Sequence, residues 1–159
     1  MYTVVPFRAW HLKAIEEAGG AEGGFYTPDD GTLAVLEQTG TNWTGFYKET
    51  PLVCGGTIEQ WPGRHIAWAF LNKQTSRHMT FVTRACGEKL ALPSGRIEFT
   101  VRRDFLPGHK WARMIGFQVE EMPGLEVEKL PLDARVPGQM AAWGPEGESH
   151  VAYVRFNGA

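Results

Sequence analysis

The order of periodic segments predicts an α/β chain built on one sheet of mixed direction. Three observations carry this reading. Seven short runs are rich in β-formers, helical stripes interrupt them at intervals, and Gly- or Pro-bearing turns separate the runs that follow one another directly. The resulting order is β-α-α-β-β-β-α-β-α-β-β. Helical crossovers predict parallel neighbours at the centre of the sheet, hairpins predict antiparallel neighbours beside them, and helices fall on both faces.

Residues 2–7 read as a strand and 8–18 as a helix with Leu12, Ile15 and Ala18 on one stripe. Gly19 and Gly20 supply a helix stop, and glycines at 23 and 24 continue a loop. Thr27-Pro28-Asp29-Asp30 predicts a second helix start, with Pro28 at its first position, carrying Leu33 and Leu36 and ending near Gly40. Strands follow at 42–48, 51–60 and 65–71, with turns at 48–51 and 61–64. Gly55-Gly56 inside the second of these marks a bulge or a close backbone approach. The run 66–71 is wholly apolar, as expected of a central strand buried on both faces.

The period then changes. Met79, Val82, Cys86 and Leu90 form a helical stripe, with Thr75 or Ser76 as its N-cap. After Pro93-Ser94-Gly95 a strand at 96–103 sets Ile97, Phe99 and Val101 against Arg96, Glu98, Thr100 and Arg102. A helix at 107–115 stops at Gly116, a strand follows at 117–121, a Pro- and Gly-rich excursion fills 122–148, and 150–156 is the last strand. The 159 residues fit one domain.

Composition narrows the function. Nineteen glycines exceed the usual share of roughly 7%. They are consistent with a phosphate-cradling loop or simply with turns and helix ends. Two cysteines exclude a disulfide scaffold and a Cys-based zinc site, and the five scattered histidines lack metal-ligand spacing, so no metal is expected. Cys54 and Cys86 read as small buried hydrophobes. The start shows no basic leader with an apolar run, and no 18-residue apolar stretch occurs, which gives the expectation of a cytoplasmic protein with no membrane contact. Net charge is −2, yet residues 64–113 hold ten Lys/Arg against three acids. A basic middle fits an anionic partner, such as a phosphorylated cofactor, nucleic acid or an acidic protein surface, or a solvated charged face. Trp68 and Trp111 fall on core-facing elements, which argues against nucleic-acid stacking; Trp10, Trp43, Trp61 and Trp143 are freer to be interface anchors.

The element order, the strand–turn–helix at 68–90 and the run Trp111-Ala112-Arg113-Met114-Ile115-Gly116-Phe117 resemble the GNAT (Gcn5-related N-acetyltransferase) fold over nearly the whole chain. With Pro51-Leu52-Val53-Cys54-Gly55-Gly56 and the Trp-rich strand, the chain is similar to small GNAT-like proteins of tailed phages, including a T7-type internal virion or morphogenesis family. The resemblance implies an acyl-CoA in a V-shaped gap between splayed parallel strands, here 65–71 and 96–103. It implies that the pantetheine arm pairs with the backbone of Trp68, Phe70 and Leu71, whose N–H groups also meet the oxyanion. The diphosphate would lie at the helix start, near Lys73, Ser76, Arg77, His78 and Met79.

Two positions depart from the family pattern. The family loop, Arg/Gln-x-x-Gly-x-Gly/Ala, is matched by Asn72-Lys73-Gln74-Thr75-Ser76-Arg77, which has no glycine, and Ala112 stands where a tyrosine general acid is common. His109, one turn earlier, is the candidate substitute. Glu59 is a candidate base or a solvent-facing strand acid; Glu98 is a candidate base or a partner of Arg96 or Arg102. At a helix N-terminus His78 is a phosphate contact, a base or a plain surface histidine. Arg102-Arg103 is a phosphate contact or a solvated strand end. Two functions are therefore expected to compete. One is transfer of an acyl group from CoA to an amine. The other is a catalytically silent GNAT-fold protein that binds a phage or host protein, or serves virion assembly, through the excursion and Trp143.

Overall fold

The computed structural model describes residues 1–18, 28–102, 106–119 and 150–158. Seven strands form one sheet in the order β1-β2-β3-β4-β5-β7-β6. They are β1 (Tyr2–Pro6), β2 (Trp43–Tyr47), β3 (Thr50–Trp61), β4 (Arg64–Leu71), β5 (Gly95–Arg102), β6 (Gln118–Val119) and β7 (His150–Asn157). Every neighbouring pair is antiparallel except β4 and β5. A crossover through α3 (Met79–Leu90) accounts for that exception, because a helix returns the chain to the end from which β4 began. The crossover through α4 (Leu106–Met114) instead leaves a gap beside β5, which β7 fills.

Alternation along the strands sorts the core into two layers. Val53, Ala67, Ile97, Val101 and Tyr153 pack with Val82, Ala85 and Cys86 of α3 and Ala112 of α4. Cys54 and Phe70 point the other way, to Leu12 and Ile15 of α1 (Ala9–Glu17) and Leu33 and Leu36 of α2 (Asp30–Gln38). Ala18, placed on the α1 stripe by spacing, is exposed, and buried His11 takes its place on the inner face.

Local chemistry moves several boundaries. Asp29, not Pro28, opens α2: its carboxylate accepts from the Thr32 N–H at 2.7 Å, and Pro28 lies outside the helix. Neither Thr75 nor Ser76 caps α3. The chain first makes a 3-10 turn, Lys73–His78, which Asn72 caps by accepting from the Gln74 N–H at 2.9 Å. Gly55-Gly56 is a close approach and not a bulge. A Cβ on Gly56 would sit 2.0 Å from Asn42 Oδ1 and 2.7 Å from Asn42 Cα. The register shifts instead at Gly45/Phe46 and at Glu59/Trp61, where Gln60 is the extra residue. Gly116 closes α4 at φ 92°, as glycine does without a Cβ penalty. Gly19, Gly20, Gly23, Gly24, the excursion at 122–148, Arg103 and Trp143 lie outside the described residues.

Candidate active site

β4 and β5 pair over three positions, Arg64 with Arg96, His65 with Ile97 and Ile66 with Glu98, and then part. Over the same length β4 keeps its register with β3 as far as Leu71 opposite Val53. From Ala67 onward, therefore, β4 has a strand neighbour on one side alone. The half-buried state of Trp68, Ala69 and Leu71 follows, and corrects the expectation of a strand sealed on both faces.

The parting strands enclose a cavity of about 260 Å³. Ile66, Trp68, Glu98 and Thr100 line it from the face that carries α1 and α2. Ala67, Leu71, Phe99 and Val101 line it from the other face, beneath Cys86, Leu90, Trp111 and Ile115. Since neighbouring residues of a strand point to opposite faces, the cavity passes through the plane of the sheet. A second cavity, of about 650 Å³, lies away from the splay among Gly87, Met114, Gly116, Arg155 and Phe156.

At the apex of the splay Glu98 is 3% exposed. Its Oε1 accepts from Arg64 of β4 and its Oε2 from Arg96 Nε at 2.7 Å. The bulge at Gln60 brings Trp61 alongside, with its ring 4.5 Å from the Arg64 guanidinium carbon. Glu98 therefore joins the two strands where they still pair; its partners are Arg96 and Arg64. Glu59 is exposed on β3 opposite His65 and does not line the cavity.

His109 sits half-buried on α4 with Nδ1 2.7 Å from the Tyr153 hydroxyl. Its neighbour Gly108 lines the cavity, as does Phe99, the register partner of Tyr153. Burial raises the Tyr153 pKa against an opposing pull from Arg113, so the phenol stays protonated at neutral pH. Ala112 is fully buried beneath the same helix.

The strand residues assigned to an acyl-CoA divide between faces. Trp68 and Leu71 line the cavity, whereas Phe70 is buried against α1 and α2. In the 3-10 turn Lys73, Ser76 and Arg77 are exposed. From Gln74 onward the turn's amides are already employed: Gln74 N–H on Asn72 Oδ1, Thr75 N–H on Asn72 O at 2.9 Å, and the later ones by the i→i−3 pattern. Ser76 and Arg77 thus offer side chains to a ligand. His78 is held at the edge of the sheet, hydrogen-bonded through Nδ1 to the Tyr2 hydroxyl at 2.8 Å and packed on Tyr47 with ring centroids 4.7 Å apart. Met79 is half-buried at the start of α3.

Several groups that shape the site were not singled out by sequence. Arg64 looked like a turn residue, and Asn42 like the start of a strand. In the structure Asn42 is buried, accepts the Trp68 indole N–H at 2.9 Å and donates to Leu36 O at 2.8 Å. Trp43, expected as a free interface anchor, is 4% exposed and lines the cavity; Trp10 and Trp61 are exposed as expected. The available signal was Gly55, the register partner of Trp43, where a Cβ would meet the Trp68 carbonyl oxygen at 3.0 Å and the indole at 3.5 Å. Cys54 and Cys86 are buried free thiols, with Cys54 pushed up to about 12 by desolvation and Cys86 pushed up further by full burial.

No protein-family profile matches the chain, and no curated protein sequence matches it. Solved structures do. The ribosomal-protein-S18-alanine N-acetyltransferase of Escherichia coli superposes with a TM-score of 0.66 at 11% identity, over 100% of this chain and 96% of that one. A GNAT-family acetyltransferase of Bacillus cereus gives 0.64 at 12% identity, over 99% and 98%. Rv2747 of Mycobacterium tuberculosis, solved in complex with CoA and NLQ, gives 0.60 at 13% identity, over 97% and 98%. At such identities the likeness speaks for architecture, and together with the splayed β4–β5 pair it shows that this chain has the GNAT fold.

Proposed function

We propose that the protein transfers an acyl group from an acyl-CoA to an amine. The observation that carries this reading is the cavity through the sheet, bordered by the length of β4 that has lost its β5 partner. An unpaired strand edge presents N–H and C=O groups to an extended ligand, and the two amides of a pantetheine arm suit it. Access from both faces would let the thioester arrive beneath α3 and α4 while the amine meets it from the side of α1 and α2.

In the reaction the amine nitrogen bonds to the thioester carbon, the C–S bond breaks, the nitrogen loses a proton and the sulfur leaves as the thiol. The backbone of Trp68, Phe70 and Leu71 would align the arm and face the developing oxyanion. Lys73, Ser76 and Arg77 would hold the diphosphate by side-chain charge and hydroxyl, since the loop amides from Gln74 onward are engaged. His78 and Met79 would border that end. His109, backed by Tyr153, is the nearest proton source we assign to the leaving sulfur. Glu98 has both oxygens on guanidinium groups and serves the wall of the cavity in place of the base; Glu59 would act as base only if the amine entered from its side.

One observation favours the second reading, a catalytically silent binding or assembly protein of the tailed-phage kind. The diphosphate loop lacks glycine and spends its amides on Asn72 and on its own turn. Calorimetric titration with acetyl-CoA separates the two. Binding with thermal stabilisation is the expected result; no heat and no stabilisation at millimolar acetyl-CoA would overturn the acyltransferase reading.

A further inference from the structure

Three tryptophans line the cavity between β4 and β5: Trp43, Trp68 and Trp111. An indole has a single polar group, an N–H that can only donate. Two of the three are satisfied within the protein. Trp68 donates to Asn42 Oδ1 at 2.9 Å, and Trp111 of α4 donates to Thr83 Oγ1 of α3 at 3.0 Å. Trp43 is different. Among the described residues its Nε1 has no hydrogen-bond acceptor, although the side chain is 4% exposed. The nitrogen is not sealed in apolar surroundings either. Among the described residues, Arg64 Nε is the buried side-chain polar atom that lacks both a partner and contact with open space. Trp43 is one of the residues that line the cavity.

A donor that reaches open space and has no acceptor within the protein is free to bond a ligand placed there. The ring is placed by β2 and β3. Trp43 stands opposite Gly55, where a Cβ would lie 3.5 Å from the indole Cζ2. It shares the α3/α4 face with Ala67 and Leu71, the side from which the thioester arm would approach.

We infer that Trp43 Nε1–H donates to a carbonyl oxygen of the bound acyl-CoA arm, either a pantetheine amide or the thioester. This rests on the acyl-CoA reading and adds to it a ligand-contacting residue outside β4 and its following loop. The contact is a neutral hydrogen bond, so Trp43→Phe, which keeps the ring and loses the donor, is expected to weaken acetyl-CoA binding about fivefold. A loss shared by CoA places the acceptor at a pantetheine amide; a loss confined to acetyl-CoA places it at the thioester. The measurement is calorimetric affinity for both ligands, with thermal unfolding to verify that the variant is folded.

An independent measurement needs no variant: the Trp43 indole N–H resonance in a nitrogen–proton correlation spectrum is expected to move downfield on saturation with acetyl-CoA, while that of Trp68 stays. Acetyl-CoA binding with an unmoved Trp43 resonance, or with unchanged affinity in folded Trp43→Phe, would overturn the inference and leave the acyltransferase reading standing. Absence of any acetyl-CoA binding by the unaltered protein would overturn both.

Discussion

The two halves of β4 follow opposite rules. From Arg64 to Ile66 the strand is paired on both sides, and the cluster of Arg64, Glu98 and Arg96 is largely removed from water. From Ala67 to Leu71 it is paired on one side, and apolar side chains border an open cavity. Ordinary burial logic would put the charges in the open half and the apolar groups in the closed one. Where the strands meet, Arg64 of β4 and Arg96 of β5 share the carboxylate of Glu98. The ion cluster sits at the apex, and the cavity lies at the mouth.

The sharpest way to break that contrast is at Glu98. Glu98→Ala leaves two guanidiniums without their shared carboxylate and is expected to cost about 3–5 kcal/mol in denaturant unfolding. Replacing Arg64, Glu98 and Arg96 together by Met, Leu and Met should recover most of the loss, because well-packed apolar groups can stand in for a buried ion cluster. If Glu98→Ala alone proved neutral, the apex would not be a clamp.

Next in size is Gly56→Ala. Its Cβ would overlap Asn42 Oδ1 and Cα, so the backbone of one partner must shift, at a cost of about 1–3 kcal/mol. Asn42 also orients Trp68, so the same substitution should loosen the mouth and lower acetyl-CoA affinity; equilibrium unfolding and calorimetry read the two effects separately.

A smaller effect belongs to the α1 side. His11 is buried, its Nδ1 takes the Arg8 N–H at 3.1 Å and lies 2.8 Å from Thr44 Oγ1. Desolvation first, then the Arg8 charge, lowers its pKa below the ordinary 6.5, against a pull from Glu37. The unfolded chain therefore takes up the proton more readily. Stability from this group is fully present above about pH 6.5 and declines as pH falls below that value towards the folded pKa. Unfolding free energy measured from pH 8 to pH 5 should show this slope, and a folded His11→Gln variant should flatten it. A slope of the opposite sign would mean that His11 is charged in the fold.

The smallest expected change is at the mouth's outer end. Arg77 is exposed, so Arg77→Glu should leave stability within about 0.5 kcal/mol. It should weaken acetyl-CoA severalfold, more at low salt than at high. Unchanged affinity at low salt would remove the 3-10 turn from the diphosphate site.

The sheet was legible because period-two and helical apolar patterns are local, and the α3 stripe of Val82, Cys86 and Leu90 gives the helix that makes β4 and β5 parallel. The departure of the loop was legible too, since a missing glycine is visible in the chain itself. Glu98 could be read either as a base or as a paired acid, and Arg96 could be named as a partner because it shares the strand face two residues away. Arg64 could not, since it lies 34 positions earlier and reaches Glu98 only through the β4–β5 register.

What the sequence determined by itself is the set of elements, their order and the chemistry absent from the 72–79 loop, all of which depend on neighbours a few residues apart. Tertiary structure alone decided where the parallel pair ends, that the cavity crosses the sheet, and that two of the three indoles lining it donate within the protein. Those outcomes depend on how far two strands stay within hydrogen-bonding distance and on which donors meet acceptors across elements. They are set by packing over the whole domain, and no stretch of the chain carries them alone.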